Sequence, residues 1–380
     1  MSFKEQPLMT EKEGLVQFYP HIPKKSHQFL KKTLSTRWIG QGPRVDEFEK
    51  KFQNKFLNQK IGCVATGSGT DALHLAYILA GLKPGDEVIT PVFTCTATNI
   101  PFLYMGVKIK FADIDKYTMN ICVKSVKKLI TKKTKAIVCV HYGGLPCDMN
   151  ELVKISKKYK IPLISDAAQA LGAKYEGKKI SEFGDYTTYS FQAIKHITTG
   201  DGGMVCFKKK KLIDQAKRIR WFGINREKKQ KGIWENDIFE VGYKYQLNDI
   251  GASIGILGIK EFSKILKLRR DIFNTYLKKL SKNNNIYCVN DEKNKFHAAW
   301  IFTIITSKKD FLQKQLRKKR IETNQIHFRN DKYSIFKKFS VKGSYKNMDA
   351  IENDYLVLPL HTKMSVSDAE YVADSINKII

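Results

Sequence analysis

Lys195 stands out among the many lysines of this sequence because of the segment around it. The segment 190–203 reads SFQAIKHITTGDGG; it begins at the end of a β-like run over 186–191 and leads into a second strand-like run over 204–207. A charged amine at the end of a buried strand is costly unless it is neutralised, paired or bonded to another group. We therefore expect Lys195 to carry a cofactor as a Schiff base.

Two further segments place a candidate phosphate site and an acid directly after predicted strands. A run over 61–66 leads into GSGTDA (67–72) and an amphipathic helix, and a glycine turn at a helix start offers free N–H groups to an anion. A run over 161–165 is followed by Asp166 and Gln169. This carboxylate could pair with the ring nitrogen of pyridoxal phosphate, and the amide could hydrogen-bond to the ring hydroxyl.

The three groups together suggest one reaction. The amine of Lys195, the carboxylate of Asp166 and the turn at Gly69 and Thr70 all follow strand ends, where parallel α/β sheets bind their ligands. The lysine amine, once freed by an amino donor, would move a proton between the donor α-carbon and the cofactor. The set therefore predicts transamination.

The motifs around Gly69 and Asp166 also have other interpretations, which the sequence alone leaves open. GSGTDA also fits the dinucleotide fingerprint G-x-G-x-x-A, although that motif needs an acid at the end of its second strand, and Asp86 and Glu87 precede theirs. It could also be a simple strand-to-helix turn. Asp166 could be a helix N-cap. The spacing of His141 and Cys147 fits no common zinc pattern, so we expect no metal.

The alternation of short apolar runs and helical patterns predicts an α/β fold with a mostly parallel sheet covered on both faces. Strand-like runs occur at 61–66, 87–90, 107–112, 136–141, 161–165, 186–191 and 203–207. A long helical pattern over 247–280, rich in small residues at its start, precedes a smaller α+β unit. We predict a large domain over 1–255, with an irregular lead-in over 1–24, and a small domain over 256–380.

Composition narrows the class of protein. The chain has 380 residues, 42% of them apolar, and no apolar run long enough to cross a membrane. Its seven scattered cysteines suit reduced thiols in the cytoplasm better than a disulfide framework. The net charge of +30 could indicate binding to nucleic acid or membrane, but the lysines are spread over nearly every helical segment, so we expect neither partner.

Seven segments, in their order and spacing, are typical of one enzyme family. They read GSGTDALHLA (67–76), GDEVITPVFT (85–94), HYGGLPCDM (141–149), SDAAQALGAKYEGKK (165–179), SFQAIKHITTGDGGMV (190–205), GYKYQLNDIGASIG (242–255) and LPLHTKMS (358–365). By these motifs the chain resembles the sugar aminotransferases of the DegT/DnrJ/EryC1/StrS type. The resemblance implies PLP-transferase fold type I, with a seven-stranded sheet between helices in the large domain and a smaller C-terminal α+β domain.

The resemblance also implies a cofactor and its contacts. Pyridoxal 5′-phosphate is expected, with pyridoxamine 5′-phosphate as the intermediate, and Lys195 matches the Schiff-base lysine. Related dehydratases have histidine there, whereas here His196 falls one place later, so transamination is favoured. The ring and phosphate contacts implied by the family are Asp166, Gln169, Gly69, Thr70 and Ser190.

Two positions depart from the family's pattern. Cys95 stands where most members place an aromatic side chain over the cofactor ring. The family is dimeric, and the partner subunit lends an asparagine to the phosphate from a motif in which this chain has Lys244, followed by Gln246 at the usual basic position. The resemblance thus implies a homodimer with active sites at the interface and an altered set of hydrogen bonds to the phosphate.

The substrate implied by the resemblance is a nucleotide-linked keto-sugar, with L-glutamate as donor. The TTGDGG sequence is more similar to members that aminate C4 of a 4-keto-6-deoxy hexose, giving a 4-amino-4,6-dideoxy sugar for polysaccharide such as O-antigen. Amination at C3, or a dehydratase or regulatory relative of the same fold, is the alternative. His327, Arg329 and Lys332 lie where members contact the sugar nucleotide, Trp38 is expected beside the sugar pocket, and a plain polar loop is the alternative for 327–332.

Overall fold

The computed structural model describes residues 7–234 and 237–380. Its helices are α1 (Ser26–Leu34), α2 (Pro43–Phe56), α3 (Gly69–Leu79), α4 (Thr96–Tyr104), α5 (Val123–Leu129), α6 (Met149–Tyr159), α7 (Ile213–Ile219), α8 (Arg226–Gln230), α9 (Asp249–Leu280), α10 (Lys309–Lys318), α11 (Lys346–Ile351) and α12 (Val366–Ile379). Its strands are β1 (Gly62–Thr66), β2 (Glu87–Pro91), β3 (Lys108–Ala112), β4 (Thr134–Val140), β5 (Leu163–Asp166), β6 (Lys174–Tyr175), β7 (Lys178–Lys179), β8 (Tyr186–Ser190), β9 (Gly203–Phe207), β10 (Tyr287–Cys288), β11 (Lys295–Phe296), β12 (Phe302–Ile305) and β13 (Tyr355–Leu358).

The central sheet has seven strands in the order β1-β9-β8-β5-β4-β2-β3. Strand β9 runs antiparallel to both of its neighbours, and the other pairings are parallel. The predicted α/β fold with a mostly parallel seven-stranded sheet is therefore confirmed. Because β1, β5 and β8 point the same way, their carboxyl ends meet at one edge of the sheet.

Most side chains of this sheet are buried because helices cover both faces. Successive side chains point to opposite faces. Val64 and Val205 belong to the core on one side, with Tyr77 and Phe102 stacked nearby at 4.3 Å between ring centroids. The other face is packed by aromatic side chains of α2, β8 and the segment after it: Phe48, Phe52, Tyr189 and Phe191.

Helix α9 is 32 residues long and packs closely against α2 and the loop after β8. A Cβ atom at Gly255 would lie 2.6 Å from Phe48 Cε2, and one at Gly258 would lie 2.8 Å from Ile197 Cγ2. Glycine at these positions therefore allows the close approach that the small-residue run indicated. The predicted domain boundary at 255 falls within this helix, and the division into two domains stays a prediction.

The C-terminal part contains a three-stranded sheet in the order β10-β12-β13, packed against α9, α10 and α12. A second small sheet, in the order β11-β6-β7, was not predicted from the sequence. Arg269 is buried, and its Nη1 donates to the carbonyl oxygens of Trp300 (3.0 Å) and Leu360 (3.1 Å). These bonds join α9 to the segments before β12 and after β13.

Across residues 7–234 and 237–380, no helix is both long and apolar enough to cross a membrane.

Candidate active site

Lys195 lies in the loop that follows β8. The loop is held at both ends, since Phe191 N–H donates to Gly202 O (2.8 Å) and Thr199 N–H donates to Phe191 O (2.9 Å). The amine is half-buried and lies 3.7 Å from the centroid of the Trp300 ring. Burial lowers the pKa of the amine to about 8, although the nearby Cys95 and Asp166 side chains partly oppose the shift. A neutral lysine is thus accessible near neutral pH, as a nucleophile or base requires.

Asp166 ends β5 as predicted, and its carboxylate is buried at the carboxyl edge of the sheet. Thr98 Oγ1 donates to Oδ2 (2.7 Å), and the Ala168 N–H donates to Oδ1 (3.0 Å). Burial raises the pKa of this carboxyl group, while the two hydrogen bonds and the charge of Lys195 work against the rise. In the described part of the chain, no cationic group forms a salt bridge with it. A buried carboxylate of this kind fits the protonated ring nitrogen of pyridoxal phosphate.

Gln169 connects this edge of the sheet to the C-terminal part of the chain. Its Oε1 accepts from the Gly143 N–H (2.7 Å), which leaves the amide nitrogen 3.0 Å from His327 Nε2. Because an amide nitrogen can only donate, the His327 proton lies on Nδ1. The predicted bond from the Gln169 amide to the ring hydroxyl of the cofactor stays a prediction. Burial lowers the pKa of His327 to about 3, so that this imidazole is neutral.

The turn between β1 and α3 has the geometry expected of a phosphate site. Ser68 caps α3 by accepting from the Asp71 N–H at 3.0 Å, so the N–H groups of Gly69 and Thr70 begin the helix. A Cβ atom on Gly69 would lie 2.9 Å from Ser190 Cβ and 3.2 Å from its Oγ. The Ser190 hydroxyl therefore lies beside the helix start, where the three residues could bind an anion together, and their phosphate contact stays a prediction.

His196 is turned away from the reactive edge. It is buried, its Nε2 lies 2.7 Å from Ala298 O, and burial lowers the pKa of its imidazole to about 3. This histidine thus packs the loop against the C-terminal part, while Lys195 faces the site.

A family model described as the DegT/DnrJ/EryC1/StrS aminotransferase family matches residues 20–377. The chain belongs to this family. The predicted family and the predicted aminotransferase class are both confirmed. The Lys195 loop, Asp166 and the turn between β1 and α3 are thus parts of an aminotransferase.

Named relatives cover nearly the whole chain. The chain is 32% identical over 369 residues to the GDP-perosamine synthase of Escherichia coli, covering 95% of this chain and 97% of the relative. It is 32% identical over 370 residues to a UDP-4-amino-4,6-dideoxy-N-acetyl-beta-L-altrosamine transaminase of Campylobacter jejuni, covering 95% and 96%. The crystal structure of the sugar aminotransferase CalS13 from Micromonospora echinospora superposes with a TM-score of 0.89 at 27% identity, covering 96% of this chain and 99% of that one.

Two of the predicted cofactor contacts of this aminotransferase lie on the surface of the single chain. Cys95 is exposed at the start of α4 and contributes to the electrostatic surroundings of Lys195 and Tyr333. Lys244 is exposed, and its Nζ lies 3.1 Å from the side-chain oxygen of Gln246 when that amide is oriented toward it. Both roles stay predictions.

The loop with the predicted substrate residues is held by a buried ion cluster. The Arg329 side chain is only 5% exposed; its Nε lies 2.8 Å from Asp331 Oδ1, and its Nη1 pairs with Asp349 and with Glu352. Lys332 Nζ also pairs with Glu352, at 2.6 Å. These carboxylates would compete with a diphosphate for both cations, so the geometry favours a structural role for Arg329, and its substrate contact stays a prediction.

The contacts of Trp38 are local. Its backbone N–H donates to Thr36 Oγ1 (3.1 Å), and a Cβ atom on Gly42 would lie 2.9 Å from Trp38 Cβ. Trp38 therefore packs at the start of α2, next to the buried carboxylate of Asp249, which accepts from the Gly42 N–H at 2.7 Å. Its place beside a sugar pocket stays a prediction.

Three residues that shape the site have no local signal in the sequence. Thr98 reaches Asp166 from α4, Trp300 lies under Lys195, and Asn330 joins the substrate loop to the end of β2. Asn330 is fully buried, donates to Thr94 O (2.8 Å) and accepts from Asn99 Nδ2 (2.8 Å). In the sequence, Asn330 is distinguished only by being an asparagine within a polar loop. The described residues also contain no group of three or more His, Cys, Asp or Glu side chains placed to hold a metal ion.

Proposed function

We propose that this aminotransferase moves the amino group of L-glutamate to C4 of a nucleotide-linked 4-keto-6-deoxy hexose, with pyridoxal 5′-phosphate as cofactor. The observation that carries the proposal is that Lys195 and Asp166 lie close to each other at one edge of the sheet. The pKa of the amine is lowered to about 8, and the buried carboxylate makes no salt bridge among the described residues. This cofactor requires an amine that loses its proton easily and a carboxylate that can pair with the protonated ring nitrogen.

When bound, pyridoxal phosphate supplies the electron sink that stabilises negative charge at the donor α-carbon. Asp166 would hold the ring nitrogen in its protonated form, and Gln169 would donate to the ring hydroxyl. The N–H groups of Gly69 and Thr70 and the Ser190 hydroxyl would bind the phosphate. The Lys195 Nζ, when neutral, takes a proton from the α-carbon of the donor and returns a proton on the acceptor side.

The substrate class is supported by the named relatives. One of them is named for a UDP-linked 4-amino-4,6-dideoxy sugar and another for a GDP-linked sugar. The first name supports amination at C4, and the two names differ in the nucleotide, so UDP, GDP and dTDP substrates all belong in the test. Amination at C3 is the alternative within the same class.

We further propose a homodimer in which Lys244 reaches the phosphate of the partner's site. The support is a group of exposed apolar side chains close to Lys244 in sequence: Trp234 is 73% exposed, Phe239 69% and Val241 77%. Side chains of this size and number are costly to leave in water. The buried, unpaired cysteines of the chain support a cytoplasmic place of action.

The amination reaction is tested by incubating the protein with glutamate and a panel of keto-sugar nucleotides. The panel should contain 4-keto-6-deoxy and 3-keto sugars on UDP, GDP and dTDP, with products identified by mass and NMR. We expect 2-oxoglutarate and a 4-amino sugar in equal amounts, and none with Lys195→Ala. Formation of a deoxygenated sugar without 2-oxoglutarate would instead assign a dehydratase.

The shared site is tested by mixing two variants. If Lys244 acts across the interface, Lys195→Ala and Lys244→Ala subunits each give little activity alone, but a mixed dimer regains one site in which both residues are native. Recovery of activity on co-expression is expected. A dimer whose mixtures stay as inactive as the separate variants would place Lys244 and Lys195 of one subunit in the same site.

A further inference from the structure

Trp300 lies at the centre of an aromatic stack beside the reactive amine. Trp300 is 2% exposed, and its ring is stacked with those of Phe18, at 6.0 Å between centroids, and His327, at 6.2 Å. The Lys195 Nζ lies over the same indole, 3.7 Å from its centroid. The indole Nε1–H donates to Ile194 O at 3.1 Å, directly before the lysine.

We propose that Trp300 is a positioning residue for Lys195: its ring face holds the free ammonium group, and its N–H fixes the loop that carries the lysine. The proposal rests on the proposed role of Lys195 as the cofactor-binding lysine. It means that a residue of the C-terminal part of the chain positions the lysine that binds the cofactor.

The physical argument starts from the cost of burying an ammonium group. Water that would solvate the amine is replaced by the negative face of an aromatic ring, and tryptophan gives the strongest such contact at distances below about 6 Å. The indole is itself held by its ring contacts with Phe18 and His327 and by its N–H, so little side-chain entropy is lost when the amine binds over it. The ring therefore compensates part of the burial that lowers the pKa of this lysine.

The other charged and titratable groups around Lys195 have opposing effects on the charge of its amine. Asp166 and Cys95 attract the amine, whereas Arg269 disfavours its charge, and burial keeps the imidazoles of His196 and His327 neutral. In the described chain the amine forms no salt bridge with Asp166. By holding the amine over the ring, Trp300 keeps the carboxylate free for the ring nitrogen of the cofactor.

The contact itself is tested on the cofactor-free protein by tryptophan fluorescence. An ammonium group over an indole changes its emission when it loses its proton, so we expect a transition near pH 8. The transition should be absent from Lys195→Met, which is always neutral, from Lys195→Arg, which stays charged, and from Trp300→Phe. A transition that persists in Lys195→Met would overturn the proposal, and this test leaves Trp300 in place.

The consequence is tested by the rate at which pyridoxal phosphate loads onto the cofactor-free protein. We expect Trp300→Leu to load roughly tenfold more slowly at about pH 10, where the amine is neutral in every variant, since the lysine loses the ring that packs against it and the N–H that fixes its loop. Trp300→Phe keeps a ring and should recover most of the rate, and circular dichroism checks that each variant is folded. Loading of Trp300→Leu at the rate of the natural protein would overturn the proposal. A fluorescence transition in a protein that aminates no sugar would keep the contact and reject the proposed function.

Discussion

The Thr98 hydroxyl lies 2.7 Å from Asp166 Oδ2 and joins the first turn of α4 to the end of β5. A hydrogen bond to a charged group contributes about 1.5–3 kcal/mol, and here it favours the ionised carboxylate that the ring nitrogen of the cofactor needs. We expect Thr98→Val to weaken pyridoxal phosphate binding roughly 10- to 100-fold. Absorbance titration of the cofactor-free protein measures the change.

Thr98→Ser is the matched control because it keeps the hydroxyl and loses one methyl group. It should bind the cofactor nearly as tightly as the natural protein. If valine and serine have equal affinities, the Thr98 hydroxyl does not support the charge of Asp166.

The pKa of Lys195, lowered to about 8 by burial, predicts how cofactor loading depends on pH. Only the neutral amine can attack the aldehyde, so the loading rate should rise as the pH increases through about 8 and then level off. An ordinary lysine would instead give a rate that still rises toward pH 10. Stopped-flow absorbance from pH 6 to 10 separates the two, and a rate that is flat over this range would contradict the low pKa.

The sheet could be predicted from the sequence because its strands are short, mostly buried on both faces and separated by helical patterns. All seven predicted strands are present, and their ends agree to within two residues. The small sheet of β11, β6 and β7 could not be predicted, since Lys174, Lys178 and Lys295 give it no apolar pattern and its pairing joins residues far apart in sequence. Pairing of this kind is fixed by the packing around it.

The site could be predicted where its residues follow strand ends, as Asp166, Ser190 and Lys195 do. It could not be predicted where a side chain arrives from another element. Thr98 is 68 residues from Asp166, and the Trp300 ring is placed beside Lys195 by the segment just before β12. No spacing rule connects such pairs, because their distance depends on how α4 and the C-terminal sheet pack against the central sheet.

Arg329 provides a test of whether its loop is structural. Replacing this buried cation with methionine leaves Asp331, itself only 5% exposed, without compensation. Breaking a buried pair in this way costs about 3–5 kcal/mol, so Arg329→Met should lower the free energy of unfolding by that amount. Urea unfolding followed by circular dichroism measures it.

Lys332→Met is the control for this loop, because Lys332 is 44% exposed where it meets Glu352. A surface pair of this kind contributes about 0–1 kcal/mol, so the variant should be nearly as stable as the natural protein. Should Arg329→Met keep its stability but raise the KM for the sugar nucleotide, Arg329 would be a substrate contact and its ion cluster would be incidental.

Gly69 tests the phosphate cradle directly. A Cβ atom at this position would lie 2.9 Å from Ser190 Cβ, so Gly69→Ala must push the helix start away from the end of β8. Overpacking of this kind costs about 1–3 kcal/mol, and we expect pyridoxal phosphate to bind roughly 10- to 100-fold more weakly. Gly40→Ala is the matched control, since a Cβ atom there has no heavy atom within 4 Å. Equal affinities for the two alanine variants would show that the phosphate is bound elsewhere. That result would reject the phosphate site formed by Gly69, Thr70 and Ser190.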